Sequence, residues 1–484
     1  MITRRRLLQA TPGLLLPPAL TVLTSCGGSS PSDSGGTPGT GDCAAATPTA
    51  TAASPRGLHV SWTDDPFTTR TVTWFTDGSD DPGTVIEYGP VEDGMSDCEI
   101  AQTAMPNRVE GSTKAVYDVD ALTHSATISG LDEGKAVRYR VGSDAGWSDV
   151  RVLQPQPRDT FRFAHFGDHA TSDASRAVLA GVQARAPDFV VIAGDLSYAN
   201  GEQPVWDTYF DMLDPVASRL PVMTCPGNHE NKDGDGDGYR SRVSQPGQGT
   251  YYSFDHGRVH FCFSTGGSLL TGVAGAPDLL AELAWLETDL AAAALRRANG
   301  EIDFIVFVQH YTIWTDSDGR DPANFTLVLL EEHLLVNYGV DLLAVGHDHI
   351  YERSQPMAYG QPLAGGYVQI TQGGGGQSLY SLTEELGTWA AFATLRHGFT
   401  EYAVDATAIR GTTYSVENDA GELLPDGELQ IIDQFEIPAR SATDKATYAQ
   451  RPKAIALNGF DYDAMILHTI ERNRLHDLQE AGEH

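Results

Sequence analysis

Lysine is nearly missing from this chain: Lys114, Lys135, Lys232, Lys445 and Lys453 are all there is in 484 residues. With arginine they make 32 cations against 65 Asp and Glu, a formal net charge of −33. A protein that grips a nucleic-acid backbone needs basic patches to neutralise phosphates, so a nucleic-acid scaffold is excluded as a partner. Abundant Asp beside so little Lys fits a salt-tolerant surface. Long apolar runs are missing as well. The stretch from Leu14 to Leu23 is interrupted by Pro17 and Pro18 and is too short for a permanent membrane helix. Cysteine is confined to Cys26, Cys43, Cys98, Cys225 and Cys262.

What the chain does have is a series of five short polar segments, spread from Asp168 to His349. They are Gly167-Asp168-His169, Gly194-Asp195-Leu196-Ser197-Tyr198, Gly227-Asn228-His229-Glu230, Val308-Gln309-His310 and Gly346-His347-Asp348-His349. Four follow apolar runs (Phe161–Phe166, Phe189–Ala193, Ile302–Val308 and Leu342–Val345), and the fifth follows Leu220–Cys225, a weaker run containing Pro221. Continuous runs without polar alternation suit strands covered on both faces, and in such sheets ligands bind beyond the carboxyl ends of the strands. Alone, Asp195 with Tyr198 fits a loop-end carboxylate and a partly buried phenol, and His310 fits a hydrogen-bonded histidine. Five in series are not explained by core packing.

The residue types fit two metal ions. A pair about 3.5–4 Å apart can clamp the attacking and leaving oxygens of a phosphoryl displacement. Asp195 is the candidate bridging carboxylate. Asp168, Tyr198 and His349 would complete one metal, and Asn228, His310 and His347 the other. Glycines before Asp168, Asp195, Asn228 and His347 are expected to let the chain turn sharply. In an extended segment His347 and His349 would point to the same side, each serving a different metal.

These segments resemble the metallophosphoesterase signature, and Tyr198 in Gly-Asp-x-x-Tyr narrows the resemblance to purple acid phosphatases. Gly346–Arg353, GHDHIYER, is the most specific stretch, and the resemblance covers roughly residues 55–437. It implies the same seven ligands, with His229 as a catalytic histidine that binds no metal. It also implies Fe(III) at Asp168/Asp195/Tyr198/His349, because a phenol binds as phenolate beside a strong Lewis acid. A divalent Zn, Mn or Fe ion suits Asp195/Asn228/His310/His347. The phospholipase D-like alkaline phosphatases, also exported folded, resemble the chain less: they carry Asp-Asp-His-Glu where it has Gly-Asn-His-Glu.

Two departures stand out. His169-Ala170 follows Asp168 where the family usually has x-Gly, and His169 is expected to turn away from the metals. Plant-type members carry a His pair after the His310 equivalent, where this chain has Trp314, Asp316, Asp318 and Arg320. His165, His256, His260 and His333 are expected to be structural, and Glu352 and Arg353 to form an ion pair that fixes the last loop. Asp233-Gly234-Asp235-Gly236-Asp237-Gly238 starts like a calcium loop, but its twelfth position is Ser244, which carries no carboxylate. An acidic solvated loop is the preferred reading.

The amino terminus carries an address. Thr3-Arg4-Arg5-Arg6-Leu7-Leu8-Gln9 resembles a twin-arginine export signal, and Leu23-Thr24-Ser25-Cys26 resembles a bacterial lipobox. Residues 1–25 are expected to be the signal and Cys26 the lipidation site of an extracytoplasmic lipoprotein, in the periplasm or on the cell surface. An ordinary signal peptide with a nearby Cys is the plainer alternative. Removing the three arginines makes the mature charge −36 (−33 − 3). Twin-arginine export carries folded proteins, which suits an enzyme loaded with metal beforehand. With Cys26 on lipid, four cysteines allow three pairings; Cys225 and Cys262 are either neighbours or buried free thiols.

Residues 26–54, rich in Gly, Ser, Thr, Pro and Ala, read as a flexible tether. Residues 55–157 show the strand patterns Thr71–Phe75, Val85–Tyr88, Ser125–Ile128 and Ala136–Val141, which look like the fibronectin type III-like β-sandwich of the family. Residues 158–437 are expected to be an α/β metallophosphoesterase domain, two mixed β-sheets flanked by helices (αββα). Its helices are expected near Asp173–Ala186, Leu279–Ala298 and Asn324–Tyr338, with strands in His397–Ile437 closing the second sheet. Residues 438–484 form a C-terminal tail without readable chemistry. The resemblance implies hydrolysis of small phosphate monoesters, a metal-bound hydroxide attacking phosphorus in line. A phosphodiesterase on the same core is the alternative, and a surface binding protein using the β-sandwich is disfavoured by the intact ligand set.

Overall fold

In a computed structural model of the protein, the described residues are 51–247, 250–266, 276–324, 327–358 and 360–445. The segment expected to be the export signal, Cys26, the expected tether up to residue 50 and the tail from 446 onward lie outside them.

The first strands are β1 (Arg56–Ser61), β2 (Arg70–Asp77), β3 (Val85–Pro90), β4 (Asn107–Glu110), β5 (Ser112–Ala115), β6 (Ala121–Ile128), β7 (Val137–Ser143), β8 (Gly146–Trp147) and β9 (Arg151–Leu153). They form two antiparallel sheets, β1-β2-β6-β5 and β4-β3-β7 with β8 and β9. Between the sheets lie Val60, Val72, Trp74, Ile86, Ile128, Tyr139 and Val141. A short helix, α1 (Asp97–Gln102), carries a capping box in which the Ser96 side chain accepts from Glu99 N.

The larger part follows the order β10 (Phe161–Phe166), α2 (Asp173–Arg185), β11 (Phe189–Ala193), α3 (Pro204–Ala217), β12 (Val222–Cys225), and the single-turn helices α4 (Asn228–Asn231) and α5 (Asp237–Arg240). Next come β13 (Tyr252–His256), β14 (Val259–Phe263), α6 (Ala276–Ala298), β15 (Phe304–Val308), a π-helical turn over Val328–Glu332, α7 (His333–Tyr338) and β16 (Leu342–Val345). The last strands are β17 (Tyr351–Ser354), β18 (Met357–Ala358), β19 (Gln361–Pro362), β20 (Val368–Gln372), β21 (Ala390–Thr394), β22 (Gly398–Val404), β23 (Ala408–Ser415) and β24 (Gln430–Pro438).

Two mixed sheets result, β12-β11-β10-β22-β23-β24 and β13-β14-β15-β16-β20-β17-β21. They face each other across a core of Phe163, Phe189, Phe261, Val306, Ile370 and Tyr402. Helices α2 and α3 cover the outer face of one sheet, with Val178, Val182 and Phe210 packed on Val190 and Ile192. On the other sheet, α6 and α7 pack Leu286, Leu290 and Leu335 on Ile305 and Leu343. This is the expected αββα arrangement. The sandwich is tied to it through β1, where Leu58 N donates to Asp214 Oδ2 of α3 at 2.8 Å, and Arg56 pairs with Asp207 at 2.9 Å.

One expectation needs correction, and two are sharpened. Strands β22, β23 and β24 extend the sheet of β10, not the second sheet, because β22 runs antiparallel to β10, with Phe163 opposite Tyr402. The segment expected as one helix over 324–338 is helical from Leu327 to Tyr338, with its Val328–Glu332 turn π-helical, and ends at Gly339 in the left-handed region at φ 69°. Of the two readings of Cys225 and Cys262, buried free thiols hold, on β12 and β14 of different sheets, and Cys98 is disulfide-bonded.

Candidate metal centre

All five polar segments leave strands at their carboxyl ends. On one sheet β10, β11 and β12 run parallel; on the other β15 and β16 do. The five chain ends therefore emerge together along one rim. The turns beyond them are strained: Asp168, Asp195, Tyr198, Asn200 and His347 have φ of 56°, 51°, 57°, 50° and 73°. Left-handed backbone is uncommon outside glycine and clusters where function over-determines it. The glycines act differently from expectation. Among the four, Gly194 alone takes a positive φ, 81°; Gly227 is needed because a Cβ there would lie 2.1 Å from Asp195 Oδ1.

The side chains converge in two groups. In one, Tyr198 Oη lies 3.1 Å from Asp168 Oδ1 and 2.9 Å from His349 Nε2, which is itself 3.3 Å from Asp168 Oδ1. In the other, Asn228 Oδ1 lies 3.0 Å from His310 Nε2 and 3.1 Å from His347 Nδ1, and these two ring nitrogens are 3.2 Å apart. Asp195 Oδ2 lies 3.2 Å from His310 Nε2. Ligand atoms of Asp168, Asp195 and His310 fall within 4.8 Å of one another. All but the half-buried Tyr198 are buried. His347 and His349 reach separate groups, but through a bent rather than an extended segment.

The donor chemistry fits metal ions. His310 Nδ1 donates to the Ala193 carbonyl at 2.7 Å, and His349 Nδ1 to the Ser378 carbonyl at 2.7 Å. A carbonyl only accepts, so Nδ1 carries a hydrogen in each ring and Nε2 faces inward, toward carboxylate and amide oxygens. A ring proton or a bound cation satisfies these acceptors. Burial lowers the affinity of His310 for a proton, yet Asp195 and Asp168 overcome it and raise its pKa to about 10. That field would attract a metal equally well.

A surrounding layer holds these groups. Glu230 accepts from Asp195 N and Leu196 N, both at 2.9 Å, and from Gly227 N at 2.6 Å, joining two of the loops. Burial, and next the charge of Asp195, raise its pKa to about 7. His229 packs tilted against Tyr198 with ring centres 4.1 Å apart, donates from Nδ1 to Asn200 Oδ1 at 2.6 Å, and has Nε2 3.9 Å from Asp195 Oδ2. Lys232 Nζ stands 3.4 Å from that Nε2. Where relatives carry a His pair, Trp314 is buried against Trp389, Asp318 is exposed, and Arg320 lies 3.5 Å from Asp348 and over the Tyr380 ring. Tyr380 in turn stacks on His349 at 4.1 Å. Asn200, Lys232 and Tyr380 were not singled out from the sequence, since nothing in their local spacing marks them.

His169 turns away from the cluster, as expected, but into the core: its Nε2 donates to the Ser175 carbonyl at 3.2 Å, and burial lowers its pKa to about 4. Arg353 pairs with Asp433 at 2.7 Å, not with Glu352. Adjacent strand residues point to opposite faces, and Glu352 accepts from Asp316 N and Trp389 Nε1, both at 2.9 Å. The calcium-loop reading fails at its first residue. Asp233 is buried rather than solvated and accepts from Gln203 Nε2 and Trp206 Nε1, both at 2.5 Å. His165, His256 and His260 have partners elsewhere, the last held between Asp255 and Asp289 at 2.8 Å each.

Comparison with known proteins agrees with this architecture. The family model of calcineurin-like phosphoesterases matches residues 161–351, and that of the purple acid phosphatase N-terminal domain matches 55–154. Acid phosphatase type 7 of Homo sapiens is 30% identical over 420 residues, spanning 78% of this chain and 91% of that protein. Its Mus musculus counterpart is 29% identical over 386 residues, 72% and 84% of the two chains. The solved structure of a purple acid phosphatase from yellow lupin seeds superposes with a TM-score of 0.65 at 20% identity, covering 84% of this chain and 78% of that one. The chain thus belongs to the purple acid phosphatase family, and it is a metal-dependent hydrolase of phosphoric esters.

Proposed function

We propose that the protein hydrolyses small phosphate monoesters at a dinuclear centre. Asp168, Tyr198 and His349 would hold one metal, Asn228, His310 and His347 the other, and Asp195 would bridge them. The observation that carries this reading is the convergence of these side chains, from five strand ends, into two groups of inward-facing nitrogens and oxygens. Fe(III) in the phenol-containing group and a divalent Zn, Mn or Fe ion in the other follow from ligand hardness. When bound, the pair would supply an activated nucleophile and neutralise charge developing on phosphorus. The chain's own part is orientation and proton transfer. Asn200 holds His229 with Nδ1 as donor, so that Nε2 faces the substrate side, where in its protonated form it gives a proton to the leaving oxygen. Lys232 adds positive charge beside it.

The test is metal analysis combined with a panel of monoesters and diesters. Two metals per chain and a kcat/KM preference for monoesters are expected. Preference for a diester over its own monoester would make the chain a phosphodiesterase. One metal per chain at full activity would refute the dinuclear assignment. For location, we propose export as a lipoprotein anchored through Cys26.

A further inference from the structure

The β-sandwich grips the loop that carries His229. The tip of its β5–β6 hairpin is packed into the core beneath α2 and α3, where Val116 and Ala121 join Phe210, Tyr239 and Val243. Tyr117, at the same tip, lies against Gly234: an added Cβ there would stand 2.3 Å from the Tyr117 Cζ and 2.6 Å from its Oη. Gly234 has φ 63°, a conformation glycine adopts without steric cost.

Beyond that contact the chain runs through α5, and at its end the backbone divides its bonding. The N–H groups turn back into the helix: Arg240 N donates to the Gly236 carbonyl at 2.8 Å, Ser241 N to that of Asp237 at 2.9 Å, and Arg242 N to that of Tyr239 at 2.9 Å. The carbonyls at a helix end have no partner within the helix. Here the partners are side chains of the sandwich, along the whole run from Arg240 to Ser244. Lys114 Nζ donates to the Arg240 carbonyl at 2.7 Å and lies 3.4 Å from that of Val243. Thr123 Oγ1 donates to the Ser241 carbonyl at 2.7 Å. His59 Nε2 lies 3.1 Å from the Arg242 carbonyl, and Ser61 Oγ donates to that of Ser244. The Ser244 hydroxyl is held as well, accepting from Thr73 Oγ1 at 2.9 Å and donating to Ser125 Oγ at 3.1 Å. Apolar contact alone would leave this segment free to slide, because it has no direction. Bonds to successive carbonyls fix both its position and its orientation.

The fixed segment is continuous with the metal centre. Asp233 N donates to the Glu230 carbonyl at 3.1 Å, and Gly238 N to the Asp233 carbonyl at 3.0 Å, so α4 and α5 are tied to each other through Asp233. We propose that the β-sandwich is a positioning domain of this enzyme: Lys114, Tyr117 and Thr123 of its β5–β6 hairpin hold the Asn228–Ser244 loop so that His229 and Lys232 face the substrate. These are positioning residues, and their role rests on reading His229 as the proton donor. The hydroxyl-bearing face of Thr73, Thr123 and Ser125 is thereby an internal contact rather than a surface for adhesion.

Lys114→Met combined with Thr123→Val removes two of the donors and keeps side-chain bulk. In the full chain, assayed on an alkyl phosphate with metal in excess, kcat should fall about ten- to a hundredfold, the cost of misplacing a catalytic group by about 1 Å, with KM unchanged. Amide hydrogen exchange over residues 228–244 should quicken about tenfold, while circular dichroism and exchange in β10 and β11 stay as in wild type. Lys114→Arg combined with Thr123→Ser keeps the donors and should restore kcat. With His229→Ala added to the first variant, its loss should shrink, because the displaced group is gone. Unchanged exchange or unchanged kcat in the first variant overturns the proposal, and so does a kcat loss no larger than the loss of folded protein. An equal loss beside an impaired His229→Ala overturns it too. A His229→Ala protein as active as wild type refutes the acid reading instead, and exchange and kcat of the sandwich variants then decide the proposal by themselves.

Discussion

Glu230 offers the most direct test of how the centre is held. Its two carboxylate oxygens serve three backbone donors, Oε2 taking Asp195 N at 2.9 Å and Gly227 N at 2.6 Å, and Oε1 taking Leu196 N at 2.9 Å. Glu230→Gln keeps size and shape but offers one accepting oxygen, so at least one buried N–H must face an NH₂ group. A lost hydrogen bond to a charged group costs roughly 1.5–3 kcal/mol. At about 2–4 °C per kcal/mol for chains of this kind, Tm should fall by roughly 3–12 °C. The effect on activity should be larger than that fall suggests. Asp195 is the proposed shared carboxylate, and displacing a catalytic constellation by about 1 Å is enough to cost ~10²-fold. Thermal melts, metal content and kcat/KM on the purified variant supply the three numbers. A Glu230→Gln protein with wild-type Tm and wild-type kcat/KM would refute the idea that these three bonds hold the bridge.

Four further outcomes are expected. His229→Ala should retain both metals and lower kcat by about 10²–10⁴, most for alkyl phosphates, whose leaving groups need a proton; equal activity on them ends the acid role. If ferric iron fills the phenol-containing group, the protein is coloured and Tyr198→Phe removes the visible charge-transfer band with circular dichroism unchanged. An active, colourless enzyme without iron contradicts that assignment. Burial lowers the pKa of His260, but Asp255 and Asp289 outweigh this and raise it to about 9. Its stabilisation is therefore full below the unfolded value of 6.5 and lost as pH rises through about 9, so Tm of wild type minus His260→Gln should shrink between pH 6 and 10. Cys26→Ala should release the protein from the membrane fraction or leave it as precursor, and mass spectrometry of a soluble, unlipidated wild type would remove the anchor.

Much of the fold was legible because its strands carry their own signal. Runs such as Phe189–Ala193 and Phe304–Val308 are covered on both faces and lack alternation, and the glycines after several of them mark where the chain leaves the sheet. What failed was of two kinds. Helix α3 was not among the expected helices; it carries Pro204 at its start, where the missing N–H costs nothing, and Pro215 inside its last turn. The sheet that receives β22–β24 was misassigned because local pattern identifies a strand without naming its partner. Pairing of Phe163 with Tyr402 joins residues far apart in sequence, and no window spans it.

The metal centre divides along the same line. Its seven proposed ligands are legible because each must sit at a strand end beside a turn, a demand written locally at each of five places. The groups that hold those ligands face no such demand. Tyr380 needs only a flat face against His349, and Asn200 only an oxygen 2.6 Å from His229. Many residue types at many positions satisfy such needs, so sequence spacing leaves them unmarked. The backbone carries the complementary record. Asp168, Asp195, Tyr198, Asn200 and His347 all lie in the left-handed region, which each occupies against its own preference, at a cost of order 1–3 kcal/mol apiece. That cost is sustained by the loops' mutual bonds: Asp168 N to the Gly194 carbonyl, His169 N to the Asp195 carbonyl, and Glu230 across two turns. The loops are therefore held in this geometry by protein–protein hydrogen bonds that offset the strain.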